Sequence, residues 1–91
     1  MRSTIDHLGR PIELTEEGWS HIIEEHSELA VHLESIMLAL EQPTIHRRGR
    51  DANESWYFLA GAGPARWLHV VVHFFEDEGR VTTAFGRSHL P

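Results

Sequence analysis

Residues 21–26 read HIIEEH, two imidazoles and two carboxylates within six positions. These are the side chains that ligate metals and move protons. Zinc-hydrolase helices set their two histidines four residues apart, so that both project from one face. His21 and His26 are five apart, which at helical pitch turns them away from each other by roughly 140°. One ion is not gripped by both. His21 with Glu25, at i and i+4, can share an ion or only a solvated contact. His69 and His73 share a strand face but stand about 13 Å apart along it, too far for a single ion. No metal site is expected. No cofactor is expected either: GAGPAR at 61–66 lacks the third glycine of the dinucleotide fingerprint and opens no helix.

The two histidines of the motif differ in their surroundings. On a helical wheel Trp19, Ile22 and Ile23 define an apolar face, and His26 falls between the two isoleucines. His21 points nearly opposite, among Glu17, Glu24 and Glu25. His26 is then either a packed histidine with one hydrogen-bond partner or a partly buried imidazole available for proton transfer. Farther along, HRRGR at 46–50 is the densest positive run. It is either a solvated turn or a phosphate clamp formed by Arg47, Arg48 or Arg50. Tyr57, Trp56 and Trp67 can stack a nucleobase or pack as strand residues. In the TT pair, parity groups Thr83 with Val81 and Phe85, and Thr82 with Ala84; only one of the two threonines can share the face of His69 and His73.

The elements that must carry these side chains follow from periodicity. RPIEL (10–14) is a short strand or an extended arm. Thr15 is placed to cap a helix over about 16–26, with Glu16 and Glu17 in the first turn, where the helix dipole favours negative charge. HSEL interrupts or bends it. A second helix runs over about 30–41, with Leu33, Ile36, Met37 and Leu40 on one face, and Pro43 ends it. After Pro43 the pattern changes to strands: TIHRRGR, WYFLAG, WLHVVVHFF and RVTTAFG, separated by DANES, GAGPAR and EDEG. In WLHVVVHFF, Leu68, Val70, Val72 and Phe74 make an apolar face that should meet the helices. Trp67, His69, Val71, His73 and Phe75 make the other, either exposed or lining a groove. The expected architecture is one α+β domain over 1–91. Two N-terminal helices pack on one face of a three- to four-stranded antiparallel sheet built from about 44–86.

Composition narrows the classes further. The chain has 91 residues, 41% of them hydrophobic, enough for one small core. It has no cysteine, which excludes a disulfide scaffold and thiolate metal sites and is compatible with a cytoplasmic protein. No apolar run reaches the length of a membrane span, and MRSTIDHLGRP has no signal-peptide core. The net charge of −6 argues against a generally sticky nucleic-acid binder. Residues 1–45 hold two arginines against nine acidic residues, a net of −7; residues 46–91 hold six against five, a net of +1. Every basic side chain is arginine.

The order and spacing of HIIEEHSEL (21–29), LEQPTI (40–45), WYF (56–58) and the hairpin LHVVV…GRVTTAF (68–85) span most of the chain. In these the chain resembles the phage-encoded nuclease-like domains grouped with barnase, EndoU, colicin and RelE toxins. The resemblance implies a toxin-like, metal-independent endoribonuclease that cleaves RNA by attack of the ribose 2′-OH. It carries the catalytic roles to His26, Arg47, Tyr57 and Thr83, and substrate contacts to His21 and Arg48. The implied partners are an RNA substrate and a cognate antitoxin or other protein, with no membrane. Two other readings stand beside it. One is a non-catalytic interaction module on a degenerated nuclease fold, whose acidic helical block faces a basic partner. The other is a metal-binding protein, from the eight histidines.

Overall fold

The computed structural model describes residues 1–91. Two strands come first, β1 (Arg2–Ile5) and β2 (Pro11–Leu14). They form an antiparallel hairpin whose turn uses Gly9 at φ 88, a conformation open to glycine. Helix α1 (Glu16–Glu25) follows, a 3₁₀ turn spans Ser27–Val31, and helix α2 covers Leu33–Glu41. Four further strands complete the chain: β3 (Ile45–Arg48), β4 (Glu54–Ala60), β5 (Trp67–Phe75) and β6 (Glu78–Arg87). No helix is long and apolar enough to cross a membrane.

The sheet has six strands in the order β1-β2-β6-β5-β4-β3. It corrects the expected three- to four-stranded antiparallel sheet over 44–86. The helices do not begin the fold; a hairpin precedes them and joins the sheet. β2 pairs with β6 in parallel through Ile12 and Glu13 opposite Gly79 and Arg80, so the sheet is mixed. The physical reason is the crossover. After β2 the chain climbs over one sheet face through both helices, enters as edge strand β3 and meanders back until β6 lies beside β2. Close approach at that junction depends on Gly79, where a Cβ would sit 2.8 Å from the Val72 side chain and 3.1 Å from that of Ile12.

The helices form for the reasons the sequence suggests. The Thr15 hydroxyl accepts from the Gly18 N–H at 3.0 Å, with Glu16 and Glu17 in the first turn. α1 ends one residue before the expected limit, because His26 leaves helical geometry (φ −137, ψ 70) while its N–H still bonds the Ile22 carbonyl at 2.7 Å. α2 starts three residues later than expected, because residues 27–31 coil as a 3₁₀ turn that buries Leu29.

The core lies between the helices and one sheet face. Ile22, Leu29, Ile36, Met37, Ala39 and Leu40 meet Ile12, Leu14, Tyr57, Leu59, Leu68, Val70, Val72, Phe74, Val81 and Ala84. Val81 and Ala84 cannot share a face under strict alternation. A bulge resolves this: Val71 pairs with Thr83 while Val72 pairs with Val81, leaving Thr82 as the extra residue. The Thr82 hydroxyl donates to the Val71 carbonyl at 3.2 Å. The expected grouping of Val81 with Thr83 and Phe85 is therefore broken at the bulge. Thr83 and Phe85 turn to the face without helices, the face of His69 and His73. Phe58 and Val71 are also buried but stand outside the main core, in a second, thinner layer on that open face.

Candidate functional site

Cross-strand registers determine which side chains meet on the open face. Arg47 is opposite Trp56, Trp56 opposite Val71, and Val71 opposite Thr83, which makes one row from β3 to β6. The next row is Ile45, Phe58, His69 and Phe85. A cleft of about 330 Å³ opens over these rows, lined by Arg50, Glu54, Trp56, His69, Val71, Thr83, Phe85 and Arg87. Its size is at the small end of sites that hold small molecules, about 300 Å³ and upward. The floor is aromatic: the His69 ring lies 5.0 Å from Trp56, 4.3 Å from Phe58 and 4.8 Å from Phe85. One wall is held by the Trp56 indole N–H, which donates to Glu54 at 2.6 Å. Gly49 permits that wall, since a Cβ there would come within 2.6 Å of both side chains.

His69 is only 2% exposed. Burial, and then the Arg87 guanidinium, push its imidazole down to about 4. It is neutral near pH 7 and too weak a base to take part in proton transfer there. Its Nε2 has no hydrogen-bond partner, the one buried side-chain polar atom in the chain so placed.

The expected site residues divide across the molecule. Arg47 and Thr83 stand in one row on the open face. His26, at the end of α1, stacks obliquely on Phe85 with ring centroids 5.7 Å apart, at the margin of the cleft. Its Nδ1 is 3.9 Å from Glu28, and its side chain keeps 32% of its exposure. Tyr57 does not join this group. It is 0% exposed on the helix-facing side, because β4 alternates and Trp56 and Phe58 take the open side. His21 is exposed on α1 and pairs with Glu25 at 3.4 Å. Arg48 is exposed at the edge, opposite Ser55, on the Tyr57 side. No three His, Asp or Glu side chains converge into a metal-binding group.

Tyr57 belongs instead to a second polar assembly. The Asp6 carboxylate is 4% exposed. It accepts from the Tyr57 hydroxyl at 2.7 Å, from the Arg10 guanidinium at 3.0 and 3.1 Å, and from the Leu8 and Arg10 backbone N–H groups at 3.0 and 2.9 Å. Burial alone would raise the Asp6 pKa; the hydrogen bonds from Tyr57, the Arg10 and Leu8 backbone and the Arg10 guanidinium outweigh it and hold the carboxyl below its ordinary value. Burial, and then Asp6, push the Tyr57 hydroxyl far up. His46 stacks on Tyr57 at 4.5 Å and hydrogen-bonds His7 across 2.9 Å. Burial, then His7 and Arg10, lower the His46 pKa. The Arg10 guanidinium lies 3.9 Å over Phe74.

Sequence reasoning missed Asp6 and Arg10. The signal was present, since an Asp and an Arg four residues apart around a glycine describe a turn closed by its own carboxylate. It also missed Glu54, two residues from its partner Trp56 on β4, and Arg87, whose approach to His69 becomes visible only with the strand register. No family profile, curated protein or solved structure matches this chain.

Proposed function

We propose that the chain is a toxin-like, metal-independent endoribonuclease whose RNA strand lies along the open sheet face. The observation that carries this reading is a group of arginines at the open face in a protein of net charge −6. Arg50 and Arg87 line the cleft and Arg47 stands in its row, while the exposed glutamates of α1 and α2 lie on the helical side. These arginines offer cations to an RNA backbone, with Glu54 the one carboxylate lining the cleft. Trp56 and Phe85 offer ring faces for base stacking.

The chemistry needs a base for the 2′-OH proton and an acid for the leaving 5′-oxygen. His69 is unsuited to both. His26, at the margin, and Glu54, in the wall, are the titratable side chains left beside the cleft. One takes the proton as O2′ attacks phosphorus; the other protonates O5′, leaving a 2′,3′-cyclic phosphate and a free 5′-hydroxyl. Arginines aimed at the phosphorane stabilise its extra charge. Thr83 can hydrogen-bond a phosphate oxygen. Tyr57 is assigned no catalytic role, because its hydroxyl is committed to Asp6.

An RNA-cleavage assay tests the reading. His26→Ala should lower the rate by about 10²–10⁴, the usual contribution of a general acid or base. Expression of the wild type should inhibit growth, and the same substitution should relieve it. RNA left intact by the purified wild type at every concentration would end the proposal. The exposed acidic side of α1, with Glu17, Glu24 and Glu25, favours a second reading: a docking face for a basic protein partner, such as an antitoxin. A stable protein complex without nuclease activity would select a non-catalytic module instead.

A further inference from the structure

Two imidazoles meet on the helix side of the sheet. His7 lies in the turn between β1 and β2, and His46 lies on β3, the edge strand farthest from β1. Asp6, beside His7, ties the turn to β4 by accepting from Tyr57 at 2.7 Å. The His7 backbone N–H bonds the Leu40 carbonyl at 3.2 Å, which anchors its main chain. His46 is opposite Tyr57 in the register, and the two rings stack at 4.5 Å with 15° between their planes. Both histidines are thus held by groups other than each other. His7 is exposed, so the pair is open to solvent.

His7 Nε2 and His46 Nδ1 stand 2.9 Å apart. A straight N–H···N bond of that length would hold the ring centroids about 5.2 Å apart, one ring radius being added at each end. They are 4.7 Å apart, with the ring planes at 89°. The rings therefore lean off the line joining the two nitrogens. That lean weakens a hydrogen bond, and it suits two lone pairs that meet at a third point. Two nitrogens each about 2.0–2.1 Å from one ion, at a right angle, stand about 2.9 Å apart.

We propose that His7 Nε2 and His46 Nδ1 are two ligands of a divalent transition-metal ion, with water in its remaining positions. Imidazole nitrogens at a right angle belong to square-planar or tetragonal coordination, the preference of Cu²⁺ and Ni²⁺, rather than to the tetrahedral coordination of zinc. The Arg10 guanidinium is paired with Asp6, which offsets the positive charge that an ion meets nearby. Asp6 and Tyr57 supply no ligand; they hold in place the two residues that do. The ion lies on the side of the sheet away from the cleft, so the site does not rest on the ribonuclease reading and takes no part in its chemistry. Its effect is to clip the β1–β2 turn to the far edge of the sheet.

Calorimetry with Ni²⁺ on tag-free protein tests this. The wild type should bind the ion at a single site. His7→Gln and His46→Gln should each weaken binding about tenfold or more, since loss of even an outer-shell partner costs that much. His21→Gln, on α1, should leave it unchanged. Because His7 is exposed, His7→Gln should keep the wild-type circular dichroism, so the test stands even where His46→Gln disturbs its stack on Tyr57. An ion that bridges two opposite edges also favours the folded state. With free Ni²⁺ at about 100 times the wild-type Kd, the folded-to-unfolded ratio should rise about a hundredfold in the wild type and about tenfold or less in His7→Gln. No binding, or binding and stabilisation undiminished in His7→Gln, overturns the proposal and leaves the pair a hydrogen bond. Affinity lost in His21→Gln instead places the ion with Glu25 on α1 and overturns it equally.

Discussion

The two faces of the sheet treat polar groups in opposite ways. On the helix side, Asp6, Arg10 and Tyr57 satisfy one another almost completely in a buried setting. On the open side, the Nε2 of His69 has no partner and Arg50, Glu54 and Thr83 border a cleft. A saturated network has nothing left to offer a ligand; its role is to lock the β1–β2 turn onto β4. An unsaturated one costs stability and retains binding capacity. The comparison shifts attention from the residue types that suggest chemistry to those with bonds still to make.

The largest expected effect lies on the saturated side. Asp6→Ala leaves the Arg10 guanidinium and the Tyr57 hydroxyl without their acceptor. Removing one partner of a buried ion pair costs about 3–5 kcal/mol, which urea unfolding should register. A loss under about 1 kcal/mol would mean that the network behaves like a surface pair.

Acid titration separates the buried histidines from Asp6 by pH window. The unfolded His69 takes up its proton near pH 6.5, while the folded ring resists until about 4. Its contribution to stability is complete above pH 6.5 and declines as pH falls to 4, with a slope of about 1.4 kcal/mol per unit. The lowered His46 pKa adds to the decline in its upper part. Asp6, held below the ordinary carboxylate range, contributes above the unfolded value of about 3.9 and loses that contribution as pH falls through its folded pKa. His69→Phe should flatten the upper phase and leave the lower one. An unchanged upper phase would show that His69 titrates normally.

Gly49→Ala should cost about 1–3 kcal/mol, the range for inserting a group into a packed place. The readout is a shift in tryptophan emission, because the new methyl pushes Trp56 and Glu54 apart. Emission like that of the wild type would show that the wall is not held there. The smallest effect on stability is expected for Arg87→Ala. It should lower RNA affinity and reduce the salt slope by about 0.7, one phosphate contact on a single strand. An unchanged slope would place the RNA elsewhere.

Much of the helix-side layer can be read from the sequence. The Thr15 cap, the apolar face of α2 and the alternation of β5 are local patterns, and each is realised in the structure. β1 escapes because a four-residue strand carries too little periodicity, and for the same reason RPIEL, which holds β2, reads as either a short strand or an extended arm. Ile5, Ile12 and Leu14 resemble any loop with a few apolar residues until β6 arrives beside them. The bulge at Thr82 leaves no signature, yet it decides which way Val81 faces. By residue type Tyr57 is a natural partner for Arg47. Only the register shows that adjacent positions on β4 open to opposite sides. The cleft is a long-range object: Glu54, His69 and Arg87 come from three strands.

The most direct test pairs one substitution from each face in a single RNA-cleavage assay. His26→Ala should abolish most of the cleavage while the protein remains folded. Tyr57→Phe should cost about 1–3 kcal/mol of stability through the lost bond to Asp6 and still cleave at a rate within a few-fold of wild type. Cleavage that survives His26→Ala but is lost in a folded Tyr57→Phe protein would place the chemistry on the other face and contradict the account.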